Sequence, residues 1–209
     1  MFTVLFRHTD FVVVNKDAGV AVHRDDESEA FTHSVAQTLG VERVWLVHRL
    51  DKPTSGVLLL ALNVAAAAEL AQAFAQRMVR KTYWALSRAK PSKKQGWIKG
   101  DMAKARRGAW KLLRSQQNPA LTYFTSQSIQ PQLRLFILTP HTGKTHQLRV
   151  AMKSLGSPIL GDELYGGETA TRLFLHAHQL AFDYQGESFC FCAPLDSAWA
   201  DFALPQEIA

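Results

Sequence analysis

One short run of the sequence places a carboxylate and a guanidinium where a turn meets a buried strand. Asp51 and Arg49 lie two positions apart, and the turn-forming residues of 53–56 follow. The next segment, residues 57–62, is apolar and has the length of a buried strand. A charge beside a core strand is costly unless it is paired or used, so Asp51 is a candidate catalytic residue. The competing interpretation is a capped turn, in which the Asp51 side chain accepts hydrogen bonds from nearby backbone amides.

An arginine far along the chain is the predicted partner of Asp51. Residues 148, 152 and 155 form the apolar stripe of a helix that Gly156 ends, and Arg149 lies beside this stripe. A partly buried arginine needs a carboxylate, and we predict that this carboxylate is Asp51. The pair would keep Asp51 ionised, and the planar fork of guanidinium donors would fix its orientation.

A family resemblance rests on motifs spread along the chain. The RluA-type RNA pseudouridine synthases, which modify ribosomal and transfer RNA in bacteria, have a signature similar to residues 48–56, His-Arg-Leu-Asp-Lys-Pro-Thr-Ser-Gly. All seven fixed positions of that signature are met. Their Lys-x-Tyr element resembles residues 81–83, and their Gly-Arg-Thr-His-Gln-Ile-Arg-Val element resembles residues 143–150. Weaker matches at residues 161–166 and 175–177 are interpreted as a turn and a strand that shape a cleft.

The resemblance implies an isomerase with Asp51, Tyr83 and Arg149 as its catalytic residues. Pseudouridine formation breaks the bond from the uracil nitrogen to the sugar and rejoins the base through carbon 5. The reaction has no net redox change, so no cofactor and no metal is expected. Asp51 would act as a nucleophile toward the sugar or the base, or as the base that abstracts a sugar proton. The sequence does not choose among these roles. Tyr83 would stack on the uracil and accept or relay a proton at carbon 5.

The same resemblance implies a structured RNA substrate, ribosomal or transfer RNA, whose target uridine is extruded. Arg49 would fill the gap that the extruded uridine leaves, as the matching arginine does in similar enzymes. Lys81 and Lys144 are further candidate RNA contacts, although Lys144 stands where arginine is usual and lacks the two-pronged phosphate geometry. The basic stretch 90–119 holds Trp97 and Trp110 among lysines and arginines. It is either a nucleic-acid surface or a plain surface insertion.

Composition sets the outer limits of the interpretation. The chain has 209 residues with 24 lysines and arginines against 18 acids, and its pI of about 9.5 suits a polyanionic partner without identifying one. Polar residues interrupt the best apolar stretch, so no membrane span or signal peptide is expected. Cytoplasmic residence is the default expectation, and we expect a monomer. Two cysteines, Cys190 and Cys192, do not make a disulfide framework, and we interpret them as small apolar residues in a late strand.

The pattern of elements predicts an α+β catalytic domain with a mixed, largely antiparallel sheet flanked by helices and loops. Expected strands cover residues 2–6, 11–15, 82–86, 121–124 and 133–138. A helix is expected over 31–39, after an exposed loop at 24–30. Another is expected from the N-cap Asn63 to about Arg80, with Leu70, Phe74 and Met78 on its apolar stripe. The resemblance covers about residues 10–194, so we expect one domain over residues 1–209 with no S4-type RNA-binding domain ahead of it.

Three alternatives were weighed against this interpretation. A nucleotide triphosphatase would use the Gly143-Lys144-Thr145 run as a phosphate loop, but the glycine required five positions earlier is Leu138. A non-catalytic RNA-binding module is supported by the basic charge and the tryptophans, but it does not explain why Asp51, Tyr83 and Arg149 all lie in matching motifs. A metal-dependent hydrolase using His176, His178 and the two cysteines lacks recognised ligand spacing.

Overall fold

The computed structural model of this chain describes residues 1–22 and 26–205, which form twelve strands and three helices. The helices are α1 (Asp26–Leu39), α2 (Val64–Ala75) and α3 (Gln147–Ser154). The strands are β1 (Phe2–Arg7), β2 (Phe11–Lys16), β3 (Trp45–Leu46), β4 (Ser55–Ala61), β5 (Arg80–Ser87), β6 (Gln95–Gly100), β7 (Met102–Lys104), β8 (Trp110–Leu112), β9 (Ala120–Gln130), β10 (Leu133–Pro140), β11 (Leu175–Tyr184) and β12 (Glu187–Cys192).

These elements fall into two compact units. The first unit comprises Met1–Arg80 and Ala177–Pro194, and the second comprises Lys81–His176 and the chain from Leu195 onward. The predicted fold class is confirmed: the protein is α+β, with largely antiparallel strand pairing and helices beside the strands. The expectation of one domain stays a prediction.

The first unit is built on two strands, the largely buried β2 and the fully buried β4. β2 pairs antiparallel with β1 on one side and with β4 on the other. In the sheet, β11 is the next strand after β4, and β12 pairs antiparallel with β11. All seven residues of β4 are buried, which explains its continuous apolar sequence, because a strand covered on both faces needs no polar alternation. Asn63 caps α2 by accepting a hydrogen bond from the Ala66 amide at 2.8 Å, as predicted.

Two helix boundaries in this unit differ from the sequence-based expectation. α1 begins at Asp26 rather than Phe31, so the loop expected over 24–30 is helical from residue 26, and its first residues lie outside the described part of the chain. α2 ends at Ala75 rather than near Arg80, because Arg77 adopts a left-handed conformation with φ 61°. The Met78 amide donates a 2.9 Å hydrogen bond to the Ala73 carbonyl, which is the pattern of a Schellman cap at the end of a helix. Met78, expected on the buried stripe, is 59% exposed.

The second unit contains the antiparallel strand order β5-β10-β9-β6. α3 packs against one face of these strands. Its predicted apolar stripe, Leu148, Met152 and Leu155, is confirmed as buried. The three residues pack in one core with Phe124, Phe136 and Leu138. The basic stretch 90–119 contains edge strand β6 and the antiparallel hairpin of β7 and β8. Both interpretations of the stretch, a nucleic-acid surface and a plain surface insertion, remain open.

Two smaller expectations are also tested by the fold. Cys190 and Cys192 lie on one face of β12, as alternate strand residues must, but both are exposed rather than packed in a core. None of the described helices is both long and apolar enough to cross a bilayer.

Candidate active site

Asp51 lies in a tight turn that leads directly into the buried strand β4. The Thr54 amide donates a 2.9 Å hydrogen bond to the Asp51 carbonyl, with Lys52 and Pro53 at the two central positions, the usual composition of a β-turn. Leu50 is buried, and the Asp51 side chain is partly exposed. A carboxylate is therefore presented at the surface from a segment anchored at both ends in the core. Arg49 is exposed beside it.

A fully buried lysine ties this turn to the loop that follows β2. The Lys16 ammonium donates to the carbonyls of Asp17 and Val20, both at 2.9 Å, and to that of Lys52 at 3.4 Å. The Gly19 amide adds a 2.8 Å bond to the same Lys52 carbonyl. Because hydrogen bonds from a charged donor are stronger than neutral ones, Lys16 stabilises the turn that carries Asp51.

Two residues of the signature run hold the turn against the strands. His48 Nε2 accepts the Leu59 amide at 2.9 Å, so Nδ1 carries the proton of the neutral ring, and the ring stacks on Phe74 with centroids 4.3 Å apart. Gly56 has φ 116°, and a Cβ on it would lie 2.2 Å from the Ala177 carbonyl oxygen. Only glycine fits where β11 approaches so closely.

In the second unit, the Gln147 side chain hydrogen-bonds both to the loop that precedes α3 and to the start of β9. Its side-chain oxygen accepts from Thr142 Oγ1 at 2.7 Å and from the Lys144 amide at 3.0 Å. Its amide nitrogen donates to the Leu121 carbonyl at 3.1 Å and to Thr122 Oγ1 at 3.0 Å. The side chain is buried, and these four bonds use its full hydrogen-bonding capacity.

Arg149 is buried on α3, and its carboxylate partner is Asp162. Nε donates to Oδ2 at 2.8 Å and Nη2 to Oδ1 at 2.7 Å, and the two side chains are 9% and 0% exposed. The prediction that Arg149 is buried and needs a carboxylate is confirmed. The Nε and Nη2 donors of the fork bind Asp162, a partner that sequence reasoning missed, and the pairing of Arg149 with Asp51 stays a prediction. Motif spacing carries no distance between side chains, so the acid 13 residues after Arg149 was overlooked.

Tyr165 extends the Arg149 pair into a buried network. The guanidinium carbon lies 4.9 Å from the centre of the Tyr165 ring, within the range of a cation–π contact. The Tyr165 hydroxyl accepts the Trp110 amide at 2.9 Å and is 2.9 Å from His146 Nδ1. His146 has φ 56° at the start of α3, an uncommon conformation for a residue other than glycine. The network thus joins α3 to the β7–β8 hairpin.

The remaining candidates lie on or beside β5. Tyr83 is opposite Leu138 of β10 and packs partly buried against the core of the second unit. Lys81 Nζ approaches Gly143, since a Cβ there would lie 3.9 Å away. Burial lowers the pKa of Lys81 by desolvating its charged form. Lys144 Nζ donates to the Asn118 carbonyl, so part of its donor capacity is used within the protein.

The structure therefore brings Lys81 to the loop of Lys144, and Arg149 to Asp162 and Tyr165. Asp51 and Arg49 belong to the first unit, and their approach to the groups of the second unit stays a prediction. Sequence reasoning missed the roles of Lys16 and Asp162. The signal for Asp162 was an acid inside the apolar run Ile159-Leu160-Gly161, where a carboxylate needs a cationic partner.

A family model described as RNA pseudouridylate synthase matches residues 10–154. The chain belongs to the RNA pseudouridine synthase family. An uncharacterized RNA pseudouridine synthase of Haemophilus influenzae is 60% identical over 183 residues, which are 87% of this chain and 82% of that protein. A tRNA pseudouridine synthase C of Haemophilus ducreyi is 34% identical over 94% of this chain and 92% of its own. A ribosomal large subunit pseudouridine synthase C of Rickettsia bellii is 34% identical over 85% of this chain and 62% of its own.

Solved structures agree with this assignment. Human RNA pseudouridylate synthase domain containing 4 superposes with a TM-score of 0.81 and 27% identity, covering 97% of this chain and 94% of its own. The matched range of the pseudouridine synthase family model contains Asp51, Tyr83 and Arg149, as well as Arg49, Lys81 and Lys144. The chain is thus an isomerase that acts on uridine in RNA, and the roles of its individual side chains are the subject of the proposal below.

Proposed function

We propose that this pseudouridine synthase isomerises specific uridines in structured ribosomal or transfer RNA, with Asp51 as the catalytic carboxylate. The observation that supports this role most strongly is the setting of Asp51. It is a partly exposed acid on a turn held by a buried lysine and continued by a buried strand. Functional groups are characteristically placed on such loops by a rigid scaffold.

The reaction needs a group that helps the base to leave the sugar and return through carbon 5. The bond from the uracil nitrogen to the sugar breaks, the bond from carbon 5 to the sugar forms, and the carbon 5 proton is released as the ring nitrogen gains one. Asp51 serves as nucleophile or as proton acceptor in this sequence. Tyr83 stacks on the uracil and accepts or relays the proton that leaves carbon 5. The buried positive charge of Arg149 favours ionised carboxylates near it. Because atoms and electrons balance within the nucleotide, we propose no cofactor and no metal.

Substrate binding needs cations that face the RNA. Extrusion of a base from folded RNA costs a few kcal/mol, and we propose that exposed Arg49 fills the vacated position. Lys81, beside Gly143, and Lys144 contact the phosphates around the extruded nucleotide. The lowered pKa of Lys81 reflects a desolvation cost that a nearby phosphate would offset, because an opposite charge stabilises the protonated form.

The RNA class and the setting of the enzyme are also proposals. Relatives of this chain include proteins named for transfer RNA and for the large ribosomal subunit, which supports both substrate classes. We propose that the enzyme acts as a monomer in the cytoplasm, where both RNAs are abundant, without a membrane partner.

Pseudouridine mapping of cellular RNA tests the proposal. Total ribosomal and transfer RNA is mapped from cells with the gene, without it, and without it but carrying either wild type or Asp51→Asn. One or a few sites are expected to disappear with the gene, to return with wild type, and to stay absent with Asp51→Asn.

The matched control is Asp183→Asn, an exposed carboxylate whose described contact is a hydrogen bond from Ser188 at 2.6 Å. It should restore the same sites as wild type. Maps that do not change when the gene is deleted would favour the alternative of a non-catalytic RNA-binding module. Restoration of the sites by Asp51→Asn would remove Asp51 from the mechanism.

A further inference from the structure

An exposed cluster of aromatic rings and a lysine lies on the outer strands of the second unit. Trp97 on β6 is 40% exposed, and its ring centre lies 5.5 Å from that of Tyr123 and 4.8 Å from that of His141. Lys99 Nζ lies 5.2 Å from the centre of the Trp97 ring. These four residues, Trp97, Lys99, Tyr123 and His141, are called the Trp97 patch below.

The alternation of β6 explains why this patch faces outward. Ile98 is 6% exposed and packs in the core that includes Leu148 of α3. Its neighbours Trp97 and Lys99 therefore point to the opposite face, where Trp97 stands directly across from Tyr123 in the strand register. The Trp97 carbonyl accepts a 2.6 Å hydrogen bond from Lys93 Nζ, which also lies over the buried Phe124 ring, so Lys99 is the cation on the Trp97 face. Tyr83 packs against the same core as Ile98, so the patch is separate from the uracil-binding tyrosine.

The charge of the surrounding chain identifies the kind of ligand. Residues 88–130 contain ten lysines and arginines and a single acid, Asp101, whereas the whole chain has an excess of only six positive charges. The positive charge of the protein is thus concentrated in the segment that contains β6 and β9, and the rest of the chain is net negative. An exposed tryptophan and histidine with a half-buried tyrosine, in a basic segment, match the composition of sites that bind unpaired nucleotides, where rings stack on bases and cations follow the backbone.

We propose that the Trp97 patch binds an unpaired nucleotide of the substrate RNA at a position other than the target uridine. The bases of a duplex are covered on both faces by their neighbours, so only a loop, bulge or strand end offers a base to Trp97. The inference rests on the proposed function, since the ligand is the same RNA. It adds a requirement: the substrate carries a second accessible base, held by stacking on Trp97 with Lys99 near its phosphate.

Substitutions in the patch test the inference through binding. Affinity is measured for a labelled twelve-nucleotide oligouridylate and for an RNA duplex of equal length, using Trp97→Ala, Trp97→Phe and the matched control Met78→Ala. Met78 is an exposed apolar residue of the first unit. Trp97→Ala should weaken single-strand binding by about 5- to 100-fold, Trp97→Phe should retain most of it, and duplex binding should change by less than about twofold. Met78→Ala should bind as wild type.

A kinetic measurement separates the patch from the catalytic proposal. With the RNA found by mapping, Trp97→Ala should raise KM by a similar factor and leave kcat within about twofold, and His141→Ala should act in the same direction. Lys99→Gln should lower the salt dependence of binding by roughly one counterion. Wild-type affinity and KM in Trp97→Ala would overturn the inference, as would an equal loss in Met78→Ala or a lower kcat at unchanged KM. Each of these outcomes is independent of turnover by Asp51→Asn, which decides the proposed function.

Discussion

The ion pair between Arg149 and Asp162 allows the structural and catalytic roles of one arginine to be separated. Both donors lie within 2.8 Å of the carboxylate, and the side chains are 9% and 0% exposed. Removing one partner of such a pair leaves an uncompensated charge in the core, which typically costs about 3–5 kcal/mol. We therefore expect Arg149→Met and Asp162→Asn to lose about that much stability, a large share of the roughly 5–15 kcal/mol that stabilises a domain.

Replacing both partners by apolar residues has a different expected result. A buried pair exchanged for well-packed apolar side chains is often neutral or stabilising, so Arg149→Met/Asp162→Leu should recover most of the stability that Arg149→Met loses. If Arg149 also serves the reaction through its charge, the double variant should fold like wild type and still lack pseudouridine formation. The assays are urea unfolding for stability and nucleoside analysis of RNA for product.

A surface pair in the same unit provides the control. Arg88 and Glu168 lie 3.1 Å apart with side chains 43% and 61% exposed, and exposed pairs contribute only about 0–1 kcal/mol. Arg88→Met should therefore unfold within about 1 kcal/mol of wild type. A stable double variant with wild-type activity would show that Arg149 has a purely structural role, and a single variant as stable as Arg88→Met would refute the argument from burial.

Three further predictions concern the turn of Asp51 and the lysine beside Gly143. Gly56→Ala should destabilise the first unit, because its Cβ would lie 2.2 Å from the Ala177 carbonyl oxygen. Gly108→Ala has no atom within 4 Å of the added Cβ, so it should lower the free energy of unfolding by no more than about 1–3 kcal/mol of backbone strain. Thermal unfolding compares the two variants. Lys16→Met should lower the free energy of unfolding by about 1–3 kcal/mol, because it removes the charged donor of three backbone carbonyls. Urea unfolding measures this loss, and a wild-type midpoint would contradict the role of these bonds. Burial lowers the pKa of Lys81, so the unfolded chain binds this proton more tightly and the free energy of unfolding should rise as pH rises toward 10.5. Lys81→Met should lack this alkaline rise and should bind RNA more weakly. Identical stability–pH profiles for Lys81→Met and wild type would contradict the assignment.

Local patterns predicted most of the elements, because strand and helix periodicity are properties of neighbouring residues. The strands around Phe11 and Tyr83 follow from short runs of β-branched and aromatic residues, and the stripe of α3 follows from helical spacing. Met78 shows the limit: its spacing matched the stripe of α2, but the left-handed Arg77 ended the helix before it. Helix ends depend on single backbone conformations that a periodic pattern does not encode.

Long-range pairing was the part that sequence could not supply. Lys16 is a lysine in a strand and would be placed at the surface by composition, yet it is buried, and three carbonyls from two separate segments of the chain converge on it. The Nε and Nη2 donors of Arg149 bind Asp162, a pairing that the fold sets and that motif spacing did not predict. The Trp97 patch likewise depends on a strand register between β6 and β9. Such contacts are set by topology rather than by motif spacing.

Release of the carbon 5 hydrogen from uridine measures the central claim most directly. RNA labelled with tritium at carbon 5 of uridine is incubated with the purified wild-type protein or with Asp51→Asn, and tritium in water is compared with the pseudouridine formed. The wild-type protein should release one tritium for each pseudouridine at unchanged RNA mass, apart from the lost isotope. Asp51→Asn should bind the RNA within a few-fold of wild type and release none. Tritium release by Asp51→Asn at the wild-type rate would contradict the assignment of this carboxylate to the chemistry.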